Sequence, residues 1–354
     1  MPWWGIALAL GPNINLDVDP AREKEAYDAV QRAVELAVRA PAKERAYVTA
    51  LAKRYSNDPK ADLKALAVDY KDAMRQLTRT YPNDNHALTL YAESMMDLRP
   101  WALYTSDGSP AEGTNEIVEV LERVLDREPD HVGANHYYIH ATEASLTPER
   151  GMKSAKKLET LVPAAGHLVH MPSHTYMRTG NYMGALAANA KAAEVDRKYI
   201  AETNPTGFYP AMYYNHNLDF LASAAMMAGR YADALKAATE VTANVTPMVA
   251  DMPMLEPVRG QDDVRADALR EVERGARLAG AAGRRAHPDH ALPLGTRCRA
   301  RSARQRRRRR EGSRGVPRGA AHHTGRHALQ HEPRREHLRG RRGRARRAHR
   351  AGQG

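Results

Sequence analysis

The composition of the chain breaks at Pro257, and the break decides how much of the polypeptide can fold. Residues 258–354 hold 28 Arg, nine acids and no Lys, whereas in residues 1–257 33 acids outweigh 26 bases. The net charge of +12 is therefore the sum of an acidic segment and a strongly basic one. Only the first has enough Leu, Val, Met, Ala and Tyr to bury a core. Residues 1–257 are expected to form the folded domain, and residues 258–354 a disordered Arg-rich tail.

A basic run such as Arg306–Arg310 has the composition of a phosphate-binding arm. The tail nonetheless lacks Lys, Asn, Ile, Phe, Tyr and Met altogether, the residues whose codons begin with two A/T bases. In a GC-rich gene a one-base slip moves G and C into the codon positions that select Arg, Ala, Gly and Pro. Synonymous codons for His322–His349, read one base later, permit Ile, Phe and Asn at helix-like spacing. The tail is expected to be out-of-frame translation, with no specific nucleic-acid binding.

Cys298, the single cysteine, lies in that tail, which excludes a disulfide framework and a thiolate zinc cluster. No run of 18 apolar residues marks a membrane span, and Met1 is not followed by a signal-peptide pattern. As written the chain reads as cytoplasmic, with no membrane partner.

Helical periodicity fills the first segment. Asp19 and Pro20 make an N-cap and first-turn pair, followed by Val30, Ala33, Val34, Ala37 and Val38 and stopped at Pro41. Tyr47, Ala50, Leu51 and Tyr55 continue on a second helix. Leu63, Leu66, Ala67, Tyr70, Met74 and Leu77 make a third. The spacing predicts further helices at about 84–98, 113–127, 131–145, 148–161, 166–179, 182–202, 208–228 and 231–244, and no alternating strand pattern competes. The expected class is all-α.

Two internal correspondences point to repeats. Gly180, Tyr182 and Ala185 recur at the same spacing as Gly229, Tyr231 and Ala234. Tyr81-Pro82 and Glu128-Pro129 each end one helix and lead into another, with Ala five residues after the Pro. Such positions are where antiparallel helices of tetratricopeptide (TPR) repeats meet, although separations of 49 and 47 residues exceed the usual length. A TPR-like α-solenoid of helical hairpins is the expected architecture. The segments WWGIALALGPNIN, HYYIHATEAS, GHLVHMPSHTYMRTGNY and YYNHNLDFLASAAMMAGR resemble a family of largely uncharacterised bacterial TPR proteins. The pairing of His-x3-His-x2-Glu with a later His-rich helix is more loosely similar to the tetratricopeptide repeat protein 38 family. The first resemblance implies a fold and no activity, and it implies that the native start lies upstream of Met1.

Histidine carries the functional argument. Half of the 16 His lie in the tail; six of the others fall in three short segments. His136, His140 and Glu143 share one helix face at i, i+4, i+7. His167, His170 and His174 repeat such a stripe, interrupted by Pro172, which either turns His174 away or re-aims it. His216 lies on an apolar helix with Asp219 one turn away. Imidazoles at this spacing can aim at one point, and zinc, copper or iron accept such ligands. The six His are candidate ligands of a divalent transition metal. They exceed one tetrahedral site, so either two ions bind or some rings support others. Glu143 is the candidate catalytic residue, as ligand, imidazole-orienting group or general base. Tyr137, Tyr138, Tyr176 and Tyr214 are expected as walls or phenol donors.

For the paired stripes the competing account is a metal-free hydrogen-bonded core network, whereas His86 and His131 read as ordinary satisfied core or surface residues. Trp3, Trp4 and Trp101 read as core packing, and the Met95-Met96 and Met226-Met227 pairs as core filler. No phosphate loop, nucleophile elbow or His-Glu-x-x-His motif is present. Two function classes follow: a metal-dependent enzyme, hydrolytic or oxidative, and a non-catalytic repeat scaffold that binds a peptide or protein. An incomplete, inactive product is a third outcome of the expected truncation.

Overall fold

The apolar stripes of the first segment fall on helices, except that Val38 and Tyr55 lie just beyond the ends of theirs, in the computed structural model, which describes residues 1–16, 20–250 and 252–256. In chain order the helices are α1 (Pro2–Leu10), α2 (Pro20–Ala37), α3 (Ala42–Leu51), α4 (Leu63–Thr80), α5 (Asn85–Met96), α6 (Thr114–Arg127) and α7 (Val132–Glu143). There follow α8 (Met152–Leu161), α9 (Gly166–His170), α10 (Pro172–Thr179), α11 (Tyr182–Thr203), α12 (Tyr214–Met227) and α13 (Tyr231–Val245). No strand occurs among the described residues, so the class is all-α. The Arg-rich tail and the Asp19 cap lie outside the described residues.

The apolar spacing places the core. Tyr70, Met74 and Leu77 of α4 are buried against Leu51, Leu88, Met96, Ile117 and Leu121. The first turn of the same stripe is not: Leu63 is exposed, and so are Val34 of α2 and Val38 just after it. Those stripes are narrower than their spacing suggested. A second cluster, Ile139, Leu158, Met171, Tyr176, Ala185 and Ala224, ties α7 and α8 to α10, α11 and α12. Residues 2–10 carry no stripe, being apolar nearly all round, so periodicity gave no reason to expect α1. The helix forms with Pro2 in its first turn, where the missing N–H costs nothing.

Repeat positions serve equivalent local roles. Gly180 and Gly229 both adopt left-handed backbone at a helix end, which a Cβ would oppose. Tyr182 and Tyr231 start the next helices, and Ala185 and Ala234 are fully buried where those helices approach their neighbours. After Pro82 and Pro129 come side-chain caps: Asp84 accepts from the Ala87 N–H at 3.2 Å and His131 Nδ1 from the Ala134 N–H at 3.1 Å. Helices pack mainly on their chain neighbours, from α1 on α2 to α12 on α13, with next-but-one pairs such as α8 on α10 and α9 on α11. For the site, the pairs that matter are α7 on α10 and α9 on α12.

The cap of α4 offers a clean test of this local logic. The Asp62 carboxylate accepts from the N–H groups of Lys64 and Ala65 at 3.0 and 3.1 Å on an exposed turn. Asp62→Ala is expected to cost about 1 kcal/mol in urea unfolding, and Asp62→Ser a fraction of that. Equal losses for the two variants would show that the cap is not what holds this end.

Candidate metal centre

Helix α7 sets the first three groups. His131 caps it, and Asn135 Nδ2 donates to the carbonyls of Pro129 and His131 at 3.0 Å each, fixing the entry of the chain. From there, i, i+4, i+7 spacing brings His136, His140 and Glu143 to one face. The His136 ring stacks on Tyr137 at 4.9 Å, and the Tyr137 hydroxyl donates to Glu93 at 2.7 Å. His140 Nδ1 donates to Glu143 Oε1 at 2.7 Å.

The second stripe survives Pro172. Helix α9 ends at His170 and α10 begins at Pro172, where no N–H is needed. Met171 keeps helical dihedrals, φ −50° and ψ −37°, although a following proline disfavours them. The Met171 N–H donates to the His167 carbonyl and the His174 N–H to the Met171 carbonyl, both at 3.2 Å. The turn is therefore tightened but not broken, and His174 remains beside His170, with ring centres 4.8 Å apart.

His216 arrives from α12, which follows a π-helical turn over Tyr209–Tyr213. That turn lays Tyr213 against His167 at 4.8 Å. Phe220, one turn after His216, packs against His170, His174 and His216 with ring centres 4.7–4.9 Å away.

All six sequence-selected imidazoles and Glu143 thus meet. They sort into three groups whose ligand atoms lie within 4.8 Å of one another: His136, His140 and His167; His170, His174 and His216; and His140, Glu143 and His174. Asp219 belongs to none of them. Glu143 is the link, because its Oε2 accepts from His174 Nδ1 at 2.6 Å while Oε1 holds His140.

Hydrogen bonding fixes the tautomers at the centre. Asn189 Nδ2 donates to the Ala185 carbonyl at 2.8 Å, so its Oδ1 is the acceptor facing His170 Nδ1 at 2.6 Å. His170 therefore carries its proton on Nδ1, as His174 does toward Glu143. When both rings are neutral, their Nε2 atoms, 2.9 Å apart, are two lone pairs facing each other. A proton or a metal ion has to lie between them. His136 Nε2 and His167 Nε2 are similarly close, at 3.2 Å. Two nitrogens on one tetrahedral zinc would sit about 3.3 Å apart, given bonds of about 2.0–2.1 Å. His140 Nε2 and His167 Nδ1 are buried without a hydrogen-bond partner.

Burial pushes His136, His167 and His170 well below the ordinary imidazole value, and neighbouring imidazoles push the same way. Burial also lowers His140, with Glu143 opposing, and takes His216 down to about 3. Glu143 moves the other way from most buried acids. Burial opposes its charge, but the charge on His174 and the hydrogen bonds from His140 and His174 outweigh that and hold the carboxyl far below its usual range.

The centre opens on two cavities. One, of about 310 Å³, is lined by His140, Glu143, Trp101, Met96, Arg99 and Arg178. The other, of about 180 Å³, lies against His140, His167, His216, Tyr213 and Trp101. Trp101 therefore corrects the core-packing expectation. It is 63% exposed, holds a left-handed φ of 58° and meets the His140 ring edge-on at 5.5 Å. Trp3 is also largely exposed, as is Met227. The tyrosines divide: Tyr137 does line His136, whereas the hydroxyls of Tyr138, Tyr176 and Tyr214 donate to Glu122, Glu159 and Glu240, away from the imidazoles. His86 and His131 pair with each other at 3.0 Å, apart from the three groups.

Sequence reasoning missed Asn189, Tyr213, Phe220 and Trp101. A recurrent Asn-His pair, Asn135-His136 and Asn215-His216, was the available signal that α7 and α12 play equivalent parts: Asn215 Nδ2, like Asn135 Nδ2, bonds the carbonyl four residues back. No protein-family model matches the chain, and no curated protein matches it.

Proposed function

We propose that this chain is a metal-dependent enzyme, a hydrolase or oxidoreductase, built on a TPR-like stack of helical hairpins, with zinc, copper or iron held by the clustered imidazoles. The observation that carries the reading is the approach of His170 Nε2 and His174 Nε2 to 2.9 Å while both Nδ1 protons are committed elsewhere. Lone pairs so placed are the ligand edge of a metal site, and their outer hydrogen bonds to Asn189 and Glu143 are the orienting contacts that metal-bound histidines require.

Three imidazoles with space beside them is the pattern of a catalytic ion, which keeps a position open. A bound ion would supply Lewis acidity there. His140 borders both cavities, so substrate reaches the centre on that side. Arg178, tethered by its Nε to the Glu143 carbonyl at 2.8 Å, puts a cation on the wall of the larger cavity and favours an anionic substrate group. In this arrangement both Glu143 oxygens are occupied, so Glu143 acts by orienting His140 and His174 and fixing the tautomer in which Nδ1 carries the proton and Nε2 faces the centre.

A specific observation also supports the scaffold reading. A groove of about 810 Å³ on the N-terminal half is lined by Trp4 and Tyr47 beside Lys43, Asp84, Glu128 and Asp130, with Asp84 paired to Lys43 and Asp130 to Lys157, a mixed aromatic and polar surface suited to a peptide. Elemental analysis separates the two classes. Protein purified without a His-tag is expected to carry near-stoichiometric metal that a His136→Ala, His140→Ala variant loses in part and a His170→Ala, His174→Ala variant loses in part. Zinc would point to hydrolysis, copper or iron to oxidation. A stable protein that holds no metal after exposure to all three ions would sink the enzyme reading.

A further inference from the structure

We infer that the centre is dinuclear: one ion on His136, His140 and His167, a second on His170, His174 and His216. The inference rests on the proposed metal reading and adds the number of ions and the partition of ligands. Six imidazoles cannot all reach one tetrahedral ion, and the geometry does not leave three of them as supports. Each trio is closed within itself, its ligand atoms all within 4.8 Å of one another, and the two trios share no residue. Each also contains its own close nitrogen pair, at 3.2 Å in the first and 2.9 Å in the second.

The unmet lone pairs are likewise divided. With its Nδ1 proton given to Glu143, His140 presents a deprotonated Nε2 that is buried and has no donor. In the second trio the unmet atoms are the facing Nε2 pair of His170 and His174. A single ion between His170 and His174 would leave the first of these unsatisfied, and a buried unpartnered group is costly. The two trios meet at Glu143, whose carboxylate takes one Nδ1–H from each.

Their surroundings differ as well. His140 and His167 of the first trio border the cavities, and so does His216 of the second, whereas His170 and His174 border neither and lie under Phe220. The first ion is the more accessible one, and the second is reached only at His216.

The test is a zinc titration of the full chain, stripped with a chelator and read by competition with a chromophoric chelator, with bound zinc confirmed by elemental analysis. Two equivalents are expected for the wild type, and one equivalent each for His136→Ala and His216→Ala. Glu143→Gln, which retains the shape but donates where it should accept, is expected to weaken both sites ten- to a hundredfold. One equivalent in the folded wild type would overturn the dinuclear assignment and leave the metal reading standing. None would overturn both. Because the wild-type stoichiometry decides by itself, the inference remains falsifiable even if a variant fails to fold, which circular dichroism would show.

Discussion

Acidifying the metal-free protein from about pH 6.5 to about pH 4.5 is expected to remove most of its stability. His136, His140, His167, His170 and His216 are held neutral by burial, so their folded pKa values lie below the unfolded value of about 6.5. Below that value the unfolded chain binds protons that the folded chain refuses. Stability is therefore complete above about pH 6.5 and falls as the pH drops toward the folded values. Each such histidine contributes a slope of about 1.4 kcal/mol per pH unit. Over two units even two independent groups remove about 5 kcal/mol, the whole margin of many domains. Glu143 adds in the same direction, because its depressed folded value makes its contribution present above the ordinary carboxylate range and lost on acidification. Urea unfolding of chelator-treated protein at a series of pH values measures this; a flat profile between pH 6.5 and 4.5 would mean that the rings are not buried neutral groups. The metal-loaded form is expected to show the same sign, since protons compete with the ion for imidazole.

Arg54→Met is expected to be the most damaging single change away from the centre, at about 3–5 kcal/mol. The Arg54 guanidinium donates to Asp97 Oδ2 at 2.6 Å and to the Pro12 carbonyl at 2.8 Å, and it lies over the Tyr70 ring at 4.8 Å. The side chains of Arg54 and Asp97 are only 3% and 6% exposed. Removing the cation takes the Arg54 ion pair from a carboxylate buried away from water. It also withdraws the positive charge that counteracts burial at Glu93, the residue that accepts from Tyr137 beneath His136. Adding Asp97→Asn to Arg54→Met removes the buried negative charge and is expected to recover part of the loss in urea unfolding. If the double variant is no better than the single one, the cost comes from lost packing on Tyr70 and not from charge.

The helices were legible because burying one face of a helix imposes a three-and-four spacing, and α4 and α6 show it plainly. Their ends were legible where a residue type has a local job, as with Gly180, Gly229 and the segments after Pro82 and Pro129. What the pattern did not give was α1, whose apolar residues run round the whole helix, and the exposure of Val34 and Val38, which depends on which neighbour covers α2. At the centre, i, i+4 geometry identified which imidazoles share a face, and that was enough to name His136, His140, His167, His170, His174 and His216. Their division into two trios depends on how α7, α9, α10 and α12 approach one another, which spacing within any one helix does not encode. The role of Glu143 was left open for the same reason, since its second partner lies 31 residues away on α10. Trp101 was unreadable from sequence because a left-handed tryptophan at a cavity mouth has no local signature.

The bidentate grip of Glu143 has a mechanical side. One oxygen holds a ring from its own helix and the other a ring from α10, so the carboxylate works as a yoke across two separately anchored rods. A slip of α10 along α7 by a single residue, about 1.5 Å of rise, would unseat the second ring and free it to swing. Whatever levers these two rods apart, at any distance from the imidazoles, would be felt at once in how firmly the His174 ring is held.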